Sequence, residues 1–306
     1  MKSRDAAAYW IARSNRAMAL RVWRVVALRH RRVSNTGMKP SAEELVRSAA
    51  AAFNAGRKDE AQQICEQGLA REPGEPMLSH LLAAVLFSEN ETALARPHIE
   101  ASLKKRAGYA PALALAGRIA RAEKDFDAAL AHFDRAIALA PQRELFVEKA
   151  RTLDQAGLRP QAREAWLAIL KVIPQHAEAC ARLGRMAWED GDYTIAVMYL
   201  ELATASEAPA SAWFDLGLAR QDLRDHAGAA AAYRRAFALK PDHAEAALNL
   251  GIVLQEGGDT DAAMAAYRDA YRLRPALFGS IAMALTSAPH GRLWLDESEL
   301  RRSLGS

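Results

Sequence analysis

The stretch from Ala244 to Pro275, AEAALNLGIVLQEGGDTDAAMAAYRDAYRLRP, has the pattern of two short amphipathic helices joined by a Gly-Gly-Asp turn. Gly251 and Ala270 are small, as residues must be where two helices approach closely, and Tyr267 is large enough to fill the space beside them. The closing proline cannot continue a helix interior. The stretch therefore predicts one antiparallel helix pair.

The same pattern recurs through the middle of the chain. An alanine early in each second helix returns every 33 or 34 residues, at Ala61, Ala95, Ala129, Ala162, Ala196, Ala229 and Ala263. Four residues after each alanine stands a larger side chain: Cys65, Ile99, Phe133, Trp166, Leu200, Tyr233 and Tyr267. A single pair cannot bury its own apolar face, so neighbouring pairs must stack. We predict an all-α protein, an α-solenoid of stacked helix pairs with a C-terminal capping helix.

This pattern resembles the tetratricopeptide repeat family over residues 42–277. The resemblance divides this part of the chain into seven units: 42–75, 76–109, 110–142, 143–176, 177–209, 210–243 and 244–277. The second unit departs most, because it lacks the closing proline and has Pro97 near the start of its second helix, where a first-turn proline is tolerated. The resemblance implies a right-handed superhelix with a concave groove, lined by the first helix of each pair, that binds a peptide or a partner protein.

Residues 1–39 form a separate, basic segment. They carry ten basic residues and one acidic residue, a net charge of +9, which leaves 31 of the 41 basic and 36 of the 37 acidic residues and a net charge of −5 for the rest of the chain. Four interpretations stay open: a membrane-surface helix, an organelle transit peptide, an arm for nucleic acid or an acidic partner, and a stretch before a true start at Met38. The mildly acidic body is a poor candidate for nucleic-acid binding.

Residues 278–306 follow the last unit. We expect Phe278 to Thr286 to form a helix that covers this unit, and a capping box at 296–299 to open a final helix that ends at Leu304. A polar end cap is what a repeat array needs for solubility.

Composition and motifs exclude several classes of function. We find no run of about 18 uncharged apolar residues, so no transmembrane helix is expected. The cysteines, Cys65 and Cys180, fall at packing positions and make neither a disulfide framework nor a zinc site. No phosphate loop, metal-binding motif or nucleophile elbow is present in the sequence. We expect no enzymatic activity, no cofactor and no metal.

The groove positions of the resembling family indicate candidate binding residues. The ninth position holds Arg118, Arg151 and Arg185 in three successive units, and Arg121 lies one turn beyond the first. Trp188, Phe214, Leu218, Leu248 and Ile252 then make the later groove positions apolar. Such a groove suits a peptide with a carboxylate and apolar anchors, since arginine binds carboxylates in a bidentate way. Alternatively, these arginines pair with adjacent acids such as Glu189 and only solvate the groove.

The leading hypothesis is a non-catalytic, cytoplasmic scaffold that holds a protein or peptide partner in its groove. One alternative is a peripheral membrane assembly factor localised by its basic N-terminal helix. Another is a regulatory subunit of a separately encoded enzyme. A protein that binds the C-terminal tails of chaperones is not expected. The two-carboxylate clamp of such relatives needs Lys and Asn at set groove positions, but the fifth positions here hold Ala114, Val147 and Ala181, and the ninth positions hold arginine.

Overall fold

The computed structural model of the chain describes residues 40–205, 207–287 and 297–305. The basic segment 1–39, Met38 and the first residue of the expected capping box, Asp296, lie outside these residues. The rest falls into two compact units, of which the first ends at Ala165 and the second begins at Trp166.

The described chain is all-α, with fourteen helices of 12 to 14 residues in seven successive pairs and two shorter helices at the end. The paired helices are α1 Ala42–Asn54 and α2 Lys58–Arg71, α3 Pro76–Ser88 and α4 Thr92–Lys105, α5 Ala110–Ala122 and α6 Phe126–Leu139, α7 Arg143–Gln155 and α8 Arg159–Val172, α9 Ala177–Glu189 and α10 Tyr193–Thr204, α11 Ala210–Asp222 and α12 His226–Leu239, and α13 Ala244–Glu256 and α14 Thr260–Leu273. A 3₁₀ turn at Pro275–Leu277 leads into α15 Phe278–Ser287, and α16 is Glu297–Gly305. The expected α-solenoid of seven helix pairs with a C-terminal capping helix is confirmed.

In four of the seven pairs, a glycine of the first helix lies against a large side chain of the second. A Cβ atom added to Gly251 would stand 2.5 Å from the ring of Tyr267, and one added to Gly217 would stand 2.5 Å from the ring of Tyr233. Both tyrosines are fully buried. The small and large residues of the repeat therefore meet as the sequence predicts, because only a missing side chain lets the two helix axes approach so closely.

The turn inside each pair contains one residue with a positive φ angle. Glycine occupies this place in four pairs, for example Gly157 at +73°, but Asn90, Lys124 and Arg224 hold it in the other three at +65°, +64° and +62°. The sequence pattern indicated only the glycine turns. The three other residues adopt the same backbone because the helix pair around them requires it, although L-residues disfavour this region.

In two pairs of the second unit, a histidine is the N-cap of the first helix. The Nδ1 atom of His176 accepts a hydrogen bond from the backbone N–H of Ala179 (3.2 Å), and that of His243 accepts one from Ala246 (3.4 Å). Both side chains thus satisfy a free N–H of a helix N-terminus. The repeated histidines are helix caps.

Pro97 lies deeper in its helix than the sequence suggested. It is the sixth residue of α4, beyond the first turn, and its ring is exposed. The expectation of a first-turn proline is therefore wrong. The helix continues through it, since packing of Ala95 and Ile99 against the core holds both sides of the proline in place.

In the second unit, α15 and α16 close the last pair. Ile281, Leu285, Leu300 and Leu304 are buried in one apolar cluster with Tyr267 and Ala270 of α14. The Nε atom of Arg268 also donates a 2.8 Å hydrogen bond to the carbonyl oxygen of Ser303. The end of the array is thus covered by a short helix whose outer face is polar.

Candidate functional site

The first unit contains a cavity of about 450 Å³ on the face made by the first helices of its pairs. Helices α1, α3, α5 and α7 each contribute to its wall. Its lining is mainly apolar: Ala50, Phe53, Leu81, Ala84, Ala110, Pro111, Ala114, Leu115 and Leu145. Asn54, His80, Arg118, Gln142, Glu144 and Glu148 supply the polar part. An apolar concavity with a few polar groups is the usual form of a ligand site.

Arg118 is the one candidate arginine of the first unit without a partner in the described part of the chain. It lies on the cavity wall with an exposed side chain, and it forms no hydrogen bond or ion pair with any residue that the structure describes. A guanidinium beside an apolar surface has five N–H donors and can bind a carboxylate in a bidentate way. Arg118 is therefore the positive end of an otherwise apolar site.

His80 stands next to Arg118 as a neutral group. Burial lowers the pKa of its imidazole to about 4, and the positive charge of Arg118 adds to this effect. Its Nδ1 atom is buried and has no hydrogen-bond partner among the described residues, while its ring lies edge-on to Tyr109 at 5.3 Å. The cavity therefore offers a neutral imidazole and a full positive charge side by side at neutral pH.

The other two candidate arginines of the first unit, Arg121 and Arg151, are held by Glu148. Its carboxylate lies 2.6 Å from a terminal nitrogen of Arg121 and 3.2 Å from one of Arg151. Arg121 also donates a 3.1 Å hydrogen bond to the carbonyl oxygen of Glu148. Pairing with a neighbouring acid, which the sequence left open as an alternative, thus occurs at these two positions, and Glu148 is a partner at both.

In the second unit, Arg185 and Trp188 are engaged by the protein itself. Arg185 lies 3.1 Å from the carboxylate of Glu189 and 2.5 Å from that of Asp215, and its guanidinium stands 4.9 Å above the ring of Trp188. The indole N–H of Trp188 donates a 2.7 Å hydrogen bond to Asp222. Burial raises the pKa of the Asp215 carboxyl, although the charge of Arg185 opposes this rise.

The four apolar candidates of the second unit are half-buried. Phe214, Leu218, Leu248 and Ile252 pack against the apolar cluster that contains Tyr233 and Tyr267. The ring of Phe214 also contacts that of His243, with a centroid distance of 4.7 Å and a tilt of 32° between the ring planes. These side chains mainly stabilise the repeat and expose only part of their surface.

Sequence reasoning missed Phe53, His80 and Ala84, which line the cavity in the first unit. They occupy the twelfth, fifth and ninth positions of the first two repeats, the same places at which the later arginines and apolar residues were found. A search of these positions from the first repeat onward would have indicated them. The partners Glu148 and Asp215 stand at other positions, so their role depends on the packing of adjacent first helices.

A comparison with known protein families identifies the family of this chain. The family model described as Tetratricopeptide repeat matches residues 80–144, 147–212 and 214–277, which is more than half of the chain. The chain belongs to the tetratricopeptide repeat family. Its spacing, helix pairs and small-to-large packing agree with this assignment.

One curated relative is the human Protein O-mannosyl-transferase TMTC1. It is 29% identical over 156 residues, which are 49% of this chain and 18% of that protein. The match thus spans less than a fifth of the relative's length.

Several solved structures have a similar fold. The APC/C hetero-tetramer Cut9-Hcn1 aligns with a TM-score of 0.60 at 14% identity, over 95% of this chain and 52% of that chain. The structure of pilF from Pseudomonas aeruginosa aligns with a TM-score of 0.58 at 18% identity, over 65% of this chain and 92% of that chain. At these identities the likeness concerns the fold alone.

Among the described residues, no helix combines the length and the apolar character needed to cross a membrane. The two thiols, Cys65 and Cys180, are free and buried. Burial raises the pKa of the Cys65 thiol to about 12, so it stays protonated and unreactive at neutral pH.

Proposed function

We propose that this tetratricopeptide repeat protein is a non-catalytic interaction scaffold that binds a segment of a partner protein in the cavity of its first unit. The observation that carries the proposal is Arg118, an exposed cation on the wall of an apolar cavity that has no partner among the described residues. A segment with an apolar side chain beside a carboxylate suits this combination, since the side chain fills the cavity and the carboxylate pairs with the guanidinium.

Arg121, Arg151 and Arg185 have a lesser role in this proposal, because each already pairs with an acid. A ligand would have to displace a protein carboxylate to use them. A second, weaker contact surface in the second unit consists of Trp188, Phe214, Leu218, Leu248 and Ile252.

Transferase activity, which the name of the human relative states for that protein, is not proposed for this chain, since the match covers 18% of the relative. A cytoplasmic location remains part of the proposal, supported by two free, buried thiols.

Affinity capture with the full chain as bait tests this function. Arg118→Glu reverses the charge at the cavity, and Ala114→Trp fills the cavity with an indole ring. Arg71→Glu is the matched control, because Arg71 is also exposed and unpaired among the described residues but lies on α2, away from the cavity. Partners named by mass spectrometry should be lost with both cavity variants and kept with the control.

Equal capture by all four baits would contradict the proposal. Reversing the charge of Arg118 alone is a more specific test than reversing the charges of Arg118, Arg151 and Arg185 together. The latter two hold ion pairs, so their loss would also disturb the fold.

A further inference from the structure

The cavity of the first unit carries a second unpaired charge besides Arg118. Glu144, in the first turn of α7, lies on the cavity wall with an exposed side chain, and it forms no hydrogen bond or ion pair with any residue that the structure describes. The other acid of the wall, Glu148, is already paired with Arg121 and Arg151. Within the described chain, one cation and one anion of this wall are therefore available to a ligand.

These two charges stand apart on neighbouring first helices. Arg118 is the ninth residue of α5 and Glu144 is the second residue of α7, an offset of seven positions. Short turns make successive helices antiparallel, so α5 and α7, which α6 separates in the chain, run in the same direction. An offset of seven helical positions corresponds to about 10 Å along the helix direction. A ligand must therefore present two opposite charges at about this separation to pair with both.

Two exposed amide side chains at the same cavity suit the backbone of a peptide. Asn54, at the end of α1, and Gln142, just before α7, line the cavity, and neither side chain has a hydrogen-bond partner in the described part of the chain. Each amide offers both a donor and an acceptor, which an extended peptide backbone needs for its own C=O and N–H groups. An extended segment advances about 3.3 Å per residue, so about three residues span 10 Å.

We propose that the cavity takes an extended peptide segment in which an acidic and a basic side chain, about three residues apart, flank an apolar one. The acidic side chain pairs with Arg118, the basic one with Glu144, and the apolar one fills the cavity between them. This inference rests on the proposed function and names the class of segment that the cavity binds.

The same two charges select against other ligands. A uniformly acidic segment or a nucleic acid would bring negative charge to Glu144, and a strongly basic segment such as residues 1–39, with a net charge of +9, would bring positive charge to Arg118. Repulsion of this kind discriminates between partners as effectively as attraction does. The cavity therefore favours a segment whose two charges balance.

Selection from a display library of random peptides on the immobilised full chain tests this inference. The peptides are linked to the carrier at both ends, so that no terminal charge takes part. Enriched peptides should share an apolar residue between an acidic and a basic one. Glu144→Arg should remove the preference for the basic residue, and Arg118→Glu should remove that for the acidic residue, since each variant then repels the charge that it attracted before.

The double variant, Arg118→Glu with Glu144→Arg, gives the sharpest result. It exchanges the two charges, so it should enrich peptides in which the acidic and the basic residue stand in the reverse order. Glu164→Arg is the matched control, because Glu164 is exposed and unpaired among the described residues but lies on α8, outside the cavity. It should enrich the same peptides as the unchanged protein.

Titration calorimetry with one enriched peptide gives the size of the effect. Glu144→Arg should weaken binding of this peptide about three- to tenfold, because repulsion replaces an exposed ion pair. A second peptide, in which an acidic residue replaces the basic one, should recover this loss on the Glu144→Arg variant.

The outcomes separate this inference from the proposed function. Peptides that need the acidic residue, but that the unchanged protein and Glu144→Arg enrich equally, would overturn the inference and leave the proposed function standing. A double variant that enriches the original charge order would also overturn the inference. Absence of enriched peptides, or enrichment that Arg118→Glu does not alter, would overturn both.

Discussion

At the scale of single residues, close contact between glycine and tyrosine holds each of the last two pairs together. Replacing Gly251 by alanine would put a methyl group where the ring of Tyr267 now lies, 2.5 Å from its carbon atoms. Overpacking of this kind costs about 1 to 3 kcal/mol, and the better helix propensity of alanine offsets up to about 1 kcal/mol of it. We expect Gly251→Ala to lower the free energy of unfolding by about 1 to 2 kcal/mol in urea titrations.

The matched control is Gly279→Ala in α15. A Cβ atom at Gly279 meets no atom within 4 Å, so the free energy of unfolding should stay the same or rise. Equal destabilisation by both substitutions would show that the close approach at Gly251 does not limit packing.

A second residue-scale prediction concerns His80 and pH. The unfolded chain takes up a proton at this histidine near its ordinary pKa of 6.5, whereas in the folded protein the pKa is about 4. The stability that His80 contributes is therefore complete above pH 6.5 and is lost as the pH falls towards 4. His80→Phe keeps an aromatic ring but cannot take up a proton. When the pH is lowered from about 7.5 to about 5, the unfolding free energy of the unchanged protein should fall by up to about 2 kcal/mol more than that of the variant. Identical pH dependence would exclude a buried neutral His80.

At the scale of the elements, the turns within the pairs carry strain where they lack glycine. Lys124 joins α5 to α6 with a φ angle of +64°. Glycine adopts this backbone without a steric penalty, while an L-residue loses about 1 kcal/mol there. Thermal unfolding should show that Lys124→Gly stabilises the protein by up to about 1 kcal/mol. Lys124→Ala removes the same side chain but keeps a Cβ atom, so it should give no gain in stability. If Lys124→Ala stabilises the protein as much as Lys124→Gly does, the strained backbone is not the cause of the stabilisation.

The capping helix α16 also has a testable role. Leu300 and Leu304 are buried against α14, so truncating one of them leaves a void over the last pair. Leu300→Ala should destabilise the cap by about 2 kcal/mol or more. Hydrogen exchange should then become faster in α14, with α9 unchanged, because repeat units depend mainly on their neighbours. Arg302→Ala, at an exposed residue of the same helix, is the control. Unaltered exchange in α14 after Leu300→Ala would mean that α16 does not protect the array.

At the scale of the whole molecule, charge is divided between two parts of the chain. The sequence pI is about 9.1, but the first 39 residues hold a net charge of +9 and the remainder one of −5. Isoelectric focusing of residues 40–306 should therefore give an isoelectric point below 7. Its circular dichroism should retain the helical signal of the array, since the described pairs supply their own core. Loss of the helical signal would show that the first 39 residues are needed for folding.

The sequence by itself determined the repeat, because the rules behind it are local and periodic. The alanines at 33 or 34 residue intervals, the large side chains four residues later and the closing prolines specify the paired helices and the way each pair closes. The contact of Gly251 with Tyr267 follows directly from this pattern. The turns at Lys124 and Arg224 could not be predicted in the same way, since neither residue type favours a positive φ angle, whereas Asn90 is of a type that tolerates one.

Only the tertiary structure decided which candidate residues are available to a partner. Arg118 and Arg151 occupy the same position of successive repeats, yet Arg118 is unpaired among the described residues and Arg151 pairs with Glu148. The low pKa of His80 likewise arises from burial and from a charge 38 positions away in the chain. Charge pairing and burial depend on which side chains adjacent helices bring together, and a sequence period records the helix face of a residue but not its neighbours across the groove.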